Sequence, residues 1–213
     1  MNLLNKNVDP VQLYKQYFID KDFERLELFI LLRDLFSINS SLYPGSFIHI
    51  TPSFVYPKTA YVDTDKRAPY FFHDPRFYDF IMKRKIYNQE PEIAFHFSDY
   101  REPLDLKNQS FDLLISQYAG IISKYCKQYL KLNGFLLVNN SHGDATMAFL
   151  DDDFELISII NNSNGKYKCS SENLNLYFVP KKLEKITPEE IEKKQRGIGY
   201  RKAADNYIFR RVR

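Results

Sequence analysis

Phe111 to Ser116 (Phe-Asp-Leu-Leu-Ile-Ser) and Phe135 to Asn139 (Phe-Leu-Leu-Val-Asn) are nearly unbroken apolar runs, each closed by polar residues. A strand without polar alternation has to be covered on both faces, and such strands belong to parallel sheets with helices above and below. Gly120 to Leu132, between them, reads as a helix ended by Asn133-Gly134, so the two runs predict adjacent βα units.

The flanking sequence extends the pattern. Residues 10 to 37 read as helix, with Leu26, Phe29, Ile30, Leu32, Leu35 and Phe36 near helical spacing. Ser40-Ser41-Leu42-Tyr43 is a short strand stopped by Pro44-Gly45, and Thr59 to Asp63 is a second. Pro75 to Asn88 reads as helix, and Glu92 to Ser98, with Ile93, Phe95 and Phe97 alternating, as a third strand. Phe154 to Ile160 and Leu174 to Val179 read as strands with no crossover helix between them, hence as an antiparallel pair. Beyond Pro180, Thr187-Pro188-Glu189-Glu190 starts a helix that Gly197 and Gly199 break, and Tyr200 to Arg213 reads as a further short segment.

The expected fold is therefore α/β: a doubly wound, mostly parallel sheet of about seven strands with a terminal antiparallel strand. Helices at 1–38 cover it, residues 1–180 form one domain, and 181–213 form a basic helical arm. Of 213 residues, 44% are hydrophobic and 27% charged, which excludes a disordered chain. From 181 to 213 there are eleven Lys/Arg against five Asp/Glu, although the net charge of the whole chain is only +3. That arm could contact nucleic acid, its own slightly acidic body or a second copy of the chain in a homo-oligomer. Met1 to Lys6 lacks a signal peptide's apolar core, and Glu27 and Arg33 break the run Leu26–Leu35, so a cytoplasmic protein without a membrane span is expected. Cys126 and Cys169 are expected as free thiols.

Ligands of open parallel α/β sheets bind beyond the carboxyl ends of the strands. The segments there are Tyr43-Pro44-Gly45-Ser46, Asp63-Thr64-Asp65, Ser98-Asp99-Tyr100, Ser116-Gln117-Tyr118 and Asn139-Asn140-Ser141-His142. In this order, across residues 40 to 180, the chain resembles the class I (Rossmann-like) S-adenosylmethionine-dependent methyltransferases. The resemblance implies S-adenosylmethionine as cofactor and methyl transfer to an acceptor, small or macromolecular, that the sequence does not identify.

On that resemblance Tyr43, Gly45 and Ser46 correspond to the loop that approaches the methionine part of the cofactor. Asp63 or Asp65 corresponds to the acid that binds the ribose hydroxyls, and Asp63 is the slightly better placed. Asp99 and Tyr100 correspond to the adenine contacts, and Ser116 and Gln117 to the position facing donor and acceptor. The first loop has one glycine where the family often has two or three, with Ser46-Phe47 in place of the second. The Asp/Asn-Pro-Pro-aromatic tetrapeptide of base and glutamine amino-group methylation is absent, as is a cysteine placed for cytosine-type chemistry.

Asn139 to Asp144 is dense in polar groups for a segment leaving a buried strand, which makes His142 and Asn140 the candidate catalytic residues and His142 the candidate base. Asp144 could equally cap a helix over Ala145–Leu150. His49, His73 and His96 are isolated in sequence, and no His/Cys/Asp/Glu cluster has metal-ligand spacing. A non-catalytic protein that keeps the fold is the main alternative. A nicotinamide-dinucleotide domain is disfavoured because Gly-x-Gly-x-x-Gly is missing.

Overall fold

The computed structural model describes residues 9–182 and 186–213; Met1–Lys6 and the middle of 181–187, on which the readings of the N-terminus and of the arm partly rest, lie outside them. The strands are β1 (Ser40–Pro44), β2 (Lys58–Asp63), β3 (Glu92–Phe97), β4 (Phe111–Ser116), β5 (Leu130–Val138), β6 (Phe154–Ser163), β7 (Lys166–Ser170) and β8 (Asn206–Arg211). They form one sheet in the order β3-β2-β1-β4-β5-β8-β6-β7. β3, β2, β1, β4 and β5 are parallel, whereas β8 is antiparallel to both β5 and β6.

Helices cover both faces. One face carries α1 (Pro10–Tyr14), α2 (Leu26–Phe36), α3 (Pro52–Val55), α4 (Ala68–Phe72) and α5 (Pro75–Arg84), packed on Tyr43, Tyr61, Leu113, Ile115, Leu137 and Ile208. The other carries α6 (Ile122–Cys126), α7 (Asp144–Leu150) and the segment 174–178 against Leu42, Val62, Leu114, Leu136, Tyr207 and Phe209. Successive residues of β4 thus enter opposite cores, which is why its sequence shows no alternation. The last helix, α8 (Pro188–Lys194), starts as its sequence predicts, with the Thr187 hydroxyl accepting from the Glu190 N–H and Pro188 in the first turn.

Three expected elements differ from the structure. The helix over 10–37 is interrupted: after α1 a single wide turn runs to Ile19, Asp22 and Arg25 are left-handed, and α2 starts at Leu26. The stretch Asp20-Lys21-Asp22 offers nothing to bury, and Glu24 is drawn away to the Arg84 guanidinium and the Tyr14 hydroxyl.

The helix over 120–132 ends at Cys126, followed by one tight turn at Lys127–Tyr129. Leu130 already pairs with Phe111, and the register then jumps to Leu113 opposite Phe135. Asn133-Gly134, with Asn133 left-handed, therefore lies in a bulged stretch of β5 and ends no helix.

The expected strand over Leu174–Val179 is a short turn of helix at Leu174–Leu176. The antiparallel partners of β6 are instead β7, its hairpin neighbour at the edge, and β8, which comes from the basic segment. Tyr177 and Phe178 are buried against Tyr207 and Phe209 as packing side chains, so that segment covers the sheet and does not enter it. Tyr207, Ile208 and Phe209 are at most 1% exposed and fill both cores, which is why this short run is worth more to the sheet than its charged neighbours suggest. Those neighbours are tied down too: Arg210 pairs with Glu155, and Arg211 donates to the carbonyls of Lys127 and Leu130.

Because β8 joins β5 to β6, Phe209→Ala is expected to destabilise the fold by about 3–5 kcal/mol, the usual cost of emptying a buried aromatic site. Urea unfolding followed by circular dichroism checks this; a midpoint within experimental error of the parent would contradict the central placement of β8.

Candidate functional site

Gly45 leaves β1 with φ +65° and donates its N–H to the Val62 carbonyl (2.7 Å), so the first loop and the end of β2 are held edge to edge. Asp63 completes the clamp: its Oδ2 accepts from the Phe47 N–H (2.6 Å) and its Oδ1 from the Asp65 N–H (2.7 Å). Phe47 is itself left-handed (φ +50°), a conformation that costs a side-chain-bearing residue roughly 1–2 kcal/mol and that this charge-assisted hydrogen bond offsets. Its ring lies under the Arg67 guanidinium (4.3 Å) and against Tyr17 (5.1 Å).

Asp65 is held by Arg67 through both carboxylate oxygens, and this partner keeps its carboxyl below the usual range. Asp99 is held in the same way by Arg101, also with a lowered pKa. Ser46 is buried with its hydroxyl on the Phe47 carbonyl (3.3 Å). Tyr43 is buried as well and hydrogen-bonds His49 Nδ1 (3.1 Å), so its hydroxyl faces the core.

His49 shows how closed this side of the site is. Its Nε2 must donate to the Glu24 carbonyl (3.0 Å), which leaves Nδ1 to accept from the Tyr43 hydroxyl, while the ring stacks on Phe18 at 4.5 Å. Burial, more than any other influence, pushes its pKa down to about 3, so the imidazole is neutral.

Beyond β4 and β5 the polar groups bind one another. Gln117 Oε1 accepts from Arg25 Nη1 (2.6 Å) and Asn139 Nδ2 (3.4 Å), and Gln117 Nε2 donates to Asn206 Oδ1 (3.0 Å). Asn140 Oδ1 accepts from the Thr146 N–H and hydroxyl at the start of α7 and Asn140 Nδ2 donates to the Ile198 carbonyl, an arrangement that orders the loop. His142 Nε2 donates to the Tyr118 carbonyl (3.2 Å).

Asp144 is fully buried and accepts from the Ser116 hydroxyl (2.5 Å), the Ser123 hydroxyl (2.5 Å) and the N–H groups of Ile122 and Ser123. Burial pushes its carboxyl up and these donors pull it back. Asp144 begins α7, yet its side chain serves the start of α6, so the local capping role is replaced by a bridge between two segments.

Of the predicted residues, Gly45, Ser46, Asp63 and Asp65 share one edge of the site. Tyr100 and His142 converge on the loop after β4, which Gln117 begins. Asp99, Ser116 and Asn140 are engaged by other partners, and Tyr43 points inward. Arg25, His49, Ala119 and Asn206 give no sequence signal of a site, since each acquires its neighbours through contacts distant in sequence, and Asp144, in the polar segment after β5, finds its partners in the same way.

The residues of the expected cofactor cradle do not leave it open. A Cβ on Gly45 would stand 2.1 Å from the Ala119 Cβ, so the face that a glycine keeps free is covered by the chain's own methyl group. Both oxygens of Asp63 are on backbone N–H groups. A groove of about 740 Å³ lies between the N-terminal segment and the β6–β7 hairpin, lined among others by Glu24, Arg25, Leu26, Asn164, Tyr167 and Asp205 and by no residue of the cradle. Among the described residues no group of three or more His, Cys, Asp or Glu is arranged to hold a metal, and no helix is long and apolar enough to cross a membrane.

No protein-family model and no curated protein sequence matches the chain. Solved structures with a similar course include a methyltransferase of Thermotoga maritima (15% identity, 95% of this chain and 96% of that one, TM-score 0.49). A methyltransferase of Geobacter sulfurreducens follows (12%, 77% and 88%, TM-score 0.48). The YcgJ protein of Bacillus subtilis is similar over 59% of this chain (15%, TM-score 0.42), which spans about half of that protein, 54%. The strand order is that of a doubly wound, Rossmann-like α/β sheet: five parallel strands running 3-2-1-4-5, then an antiparallel strand inserted before the sixth. β7 is an added hairpin strand at the edge.

Stability is expected to fall as pH drops from about 6.5 toward about 3, because the unfolded chain protonates His49 and the native one does not. The slope attributable to this residue reaches about 1.4 kcal/mol per pH unit. Unfolding of the parent and His49→Gln between pH 4 and 8 checks it; equal slopes would refute the buried neutral imidazole. Asp144→Asn, which places an amide N–H₂ among donors, is expected to cost about 2–4 kcal/mol at pH 7 in the same assay.

Proposed function

We propose that the chain is an S-adenosylmethionine-dependent methyltransferase for an unidentified acceptor. The observation that supports this most directly is register. Pro44 is level with Val62, so the Gly45 turn and the Asp63 carboxylate stand side by side at the carboxyl ends of adjacent parallel strands. In this reading Asp63, once freed of one backbone contact, accepts from a vicinal diol, while the groove beside Arg25 and Tyr167 receives the acceptor. The cofactor supplies an activated methyl group, so the protein's part is to hold donor and acceptor in line and no nucleophilic side chain is needed. His142, bonded to the Tyr118 carbonyl, and Asn140, bonded to Thr146, take part through the shape of the rim.

A second reading, a non-catalytic protein that keeps the fold, is favoured by two observations: Phe47 occupies a left-handed position where the family often has glycine, and Ala119 covers Gly45.

Titration calorimetry with S-adenosylmethionine and S-adenosylhomocysteine separates the two. The enzyme reading expects binding of one ligand per chain, weakened about tenfold or more by Asp63→Ala, as for loss of a charge-assisted hydrogen bond. No heat from either ligand, with folded and ligand-free protein, would leave the non-catalytic reading.

A further inference from the structure

The loop Gln117–Gly120 is fixed at its base and clasped at its tip. Asp144 holds both ends, bonding Ser116 on one side and Ile122 and Ser123 on the other. Between those points Gln117, Tyr118 and Ala119 are each gripped by a different part of the chain. Gln117 takes Arg25 and Asn206, and the Tyr118 carbonyl takes His142. The Tyr118 ring lies 5.7 Å from that of Phe23 and 5.0 Å from the Arg25 guanidinium. The Ala119 carbonyl takes the Tyr100 hydroxyl (2.8 Å), which burial raises to about 12, so that it remains a donor.

The backbone of the loop turns sharply at two points. Tyr118 (φ +61°) and Gly120 (φ +110°) are both in the left-handed half of the map, and a Cβ on Gly120 would meet the Tyr100 hydroxyl at 2.3 Å. Tyr118 is 55% exposed, and beneath the loop lies the face of Gly45. Two residues placed by sequence around a ligand, Tyr100 and His142, thus bind this loop, and a third, Gln117, belongs to it.

We propose that Gln117–Gly120 is a latch that closes the cradle over Gly45, with the Tyr100–Ala119 hydrogen bond and the Ala119 methyl group as its closing contacts. Ligand entry at the cradle requires the loop to swing out on its Asp144-bound ends. The apparent affinity of any cradle ligand is then the intrinsic affinity scaled by the fraction of chains with the latch open. The adenosyl character of that ligand rests on the function proposed above; the latch itself does not.

The test uses the full chain and two variants, Tyr100→Phe and Ala119→Gly. Chymotryptic cleavage after Tyr118 is timed against cleavage after Tyr70, which is 64% exposed and lies in α4. Cleavage of a locally opened segment follows the population of the open form. Tyr100→Phe is expected to speed cleavage after Tyr118 about three- to tenfold, the effect of one lost hydrogen bond, with Tyr70 unchanged. Ala119→Gly is expected to tighten S-adenosylhomocysteine binding by a similar factor. Unchanged cleavage after Tyr118 in Tyr100→Phe, or acceleration at both tyrosines alike, would overturn the latch. Selective acceleration without binding of S-adenosylhomocysteine by any form would uphold the latch and reject the adenosyl cofactor.

Discussion

The antiparallel half of this sheet depends on the insertion of Asn206–Arg211 between β5 and β6. Antiparallel to both neighbours, this strand supplies their missing hydrogen bonds and sends Tyr207 and Phe209 into one core and Ile208 into the other. Without it β5 would be a long apolar edge, and the groove side of the site would lose Asn206, the partner of Gln117. A short segment near the end of the chain therefore fixes the middle of the sheet, and the amide cluster around Gln117 can form only after it has docked.

Polar side chains at the ligand end are matched with one another to an unusual degree. Asp65 has Arg67, Asp99 has Arg101, Asp144 has two serines and two backbone N–H groups, and Asp63 grips its own loop. For the buried Asp144 an unpaired charge would be costly and its four donors satisfy it, whereas Asp65–Arg67 and Asp99–Arg101 are partly exposed pairs that order their own turns. A ligand would have to replace some of these contacts with equally good ones. The closed cradle and the paired acids are two sides of this one constraint, and both bear on how the fold is used.

Much of the architecture was legible in the chain because local chemistry and burial agreed. The apolar runs in β4 and β5, the Pro44-Gly45 turn, the alternation of β3 and the Thr187-Pro188 helix start each carry their own physical reason, and each stands where expected. Of the candidate site, the sequence placed Gly45 and Asp63 at the ends of two strands, and the register sets those ends side by side. Less legible were the partners, since Arg25 meets Gln117 and Asp144 meets Ser116 only through folding. His49 looked isolated for the same reason; its neighbours Phe18 and the Glu24 carbonyl belong to a segment that sequence joined into one long helix.

The sequence by itself determined the α/β class, the parallel core and the end of the sheet where a ligand would lie, because hydrophobic period and breaker residues act over a few positions. Only the tertiary structure decided which segment pairs with β6, whether Asn133-Gly134 ends a helix or bulges a strand, and that Ala119 covers Gly45. Competing segments of similar apolar content, Leu174–Val179 and Tyr207–Phe209, are separated by a global condition: which of them fills both cores at once. That condition is invisible to any window of sequence, since it is set by side chains from the opposite ends of the chain.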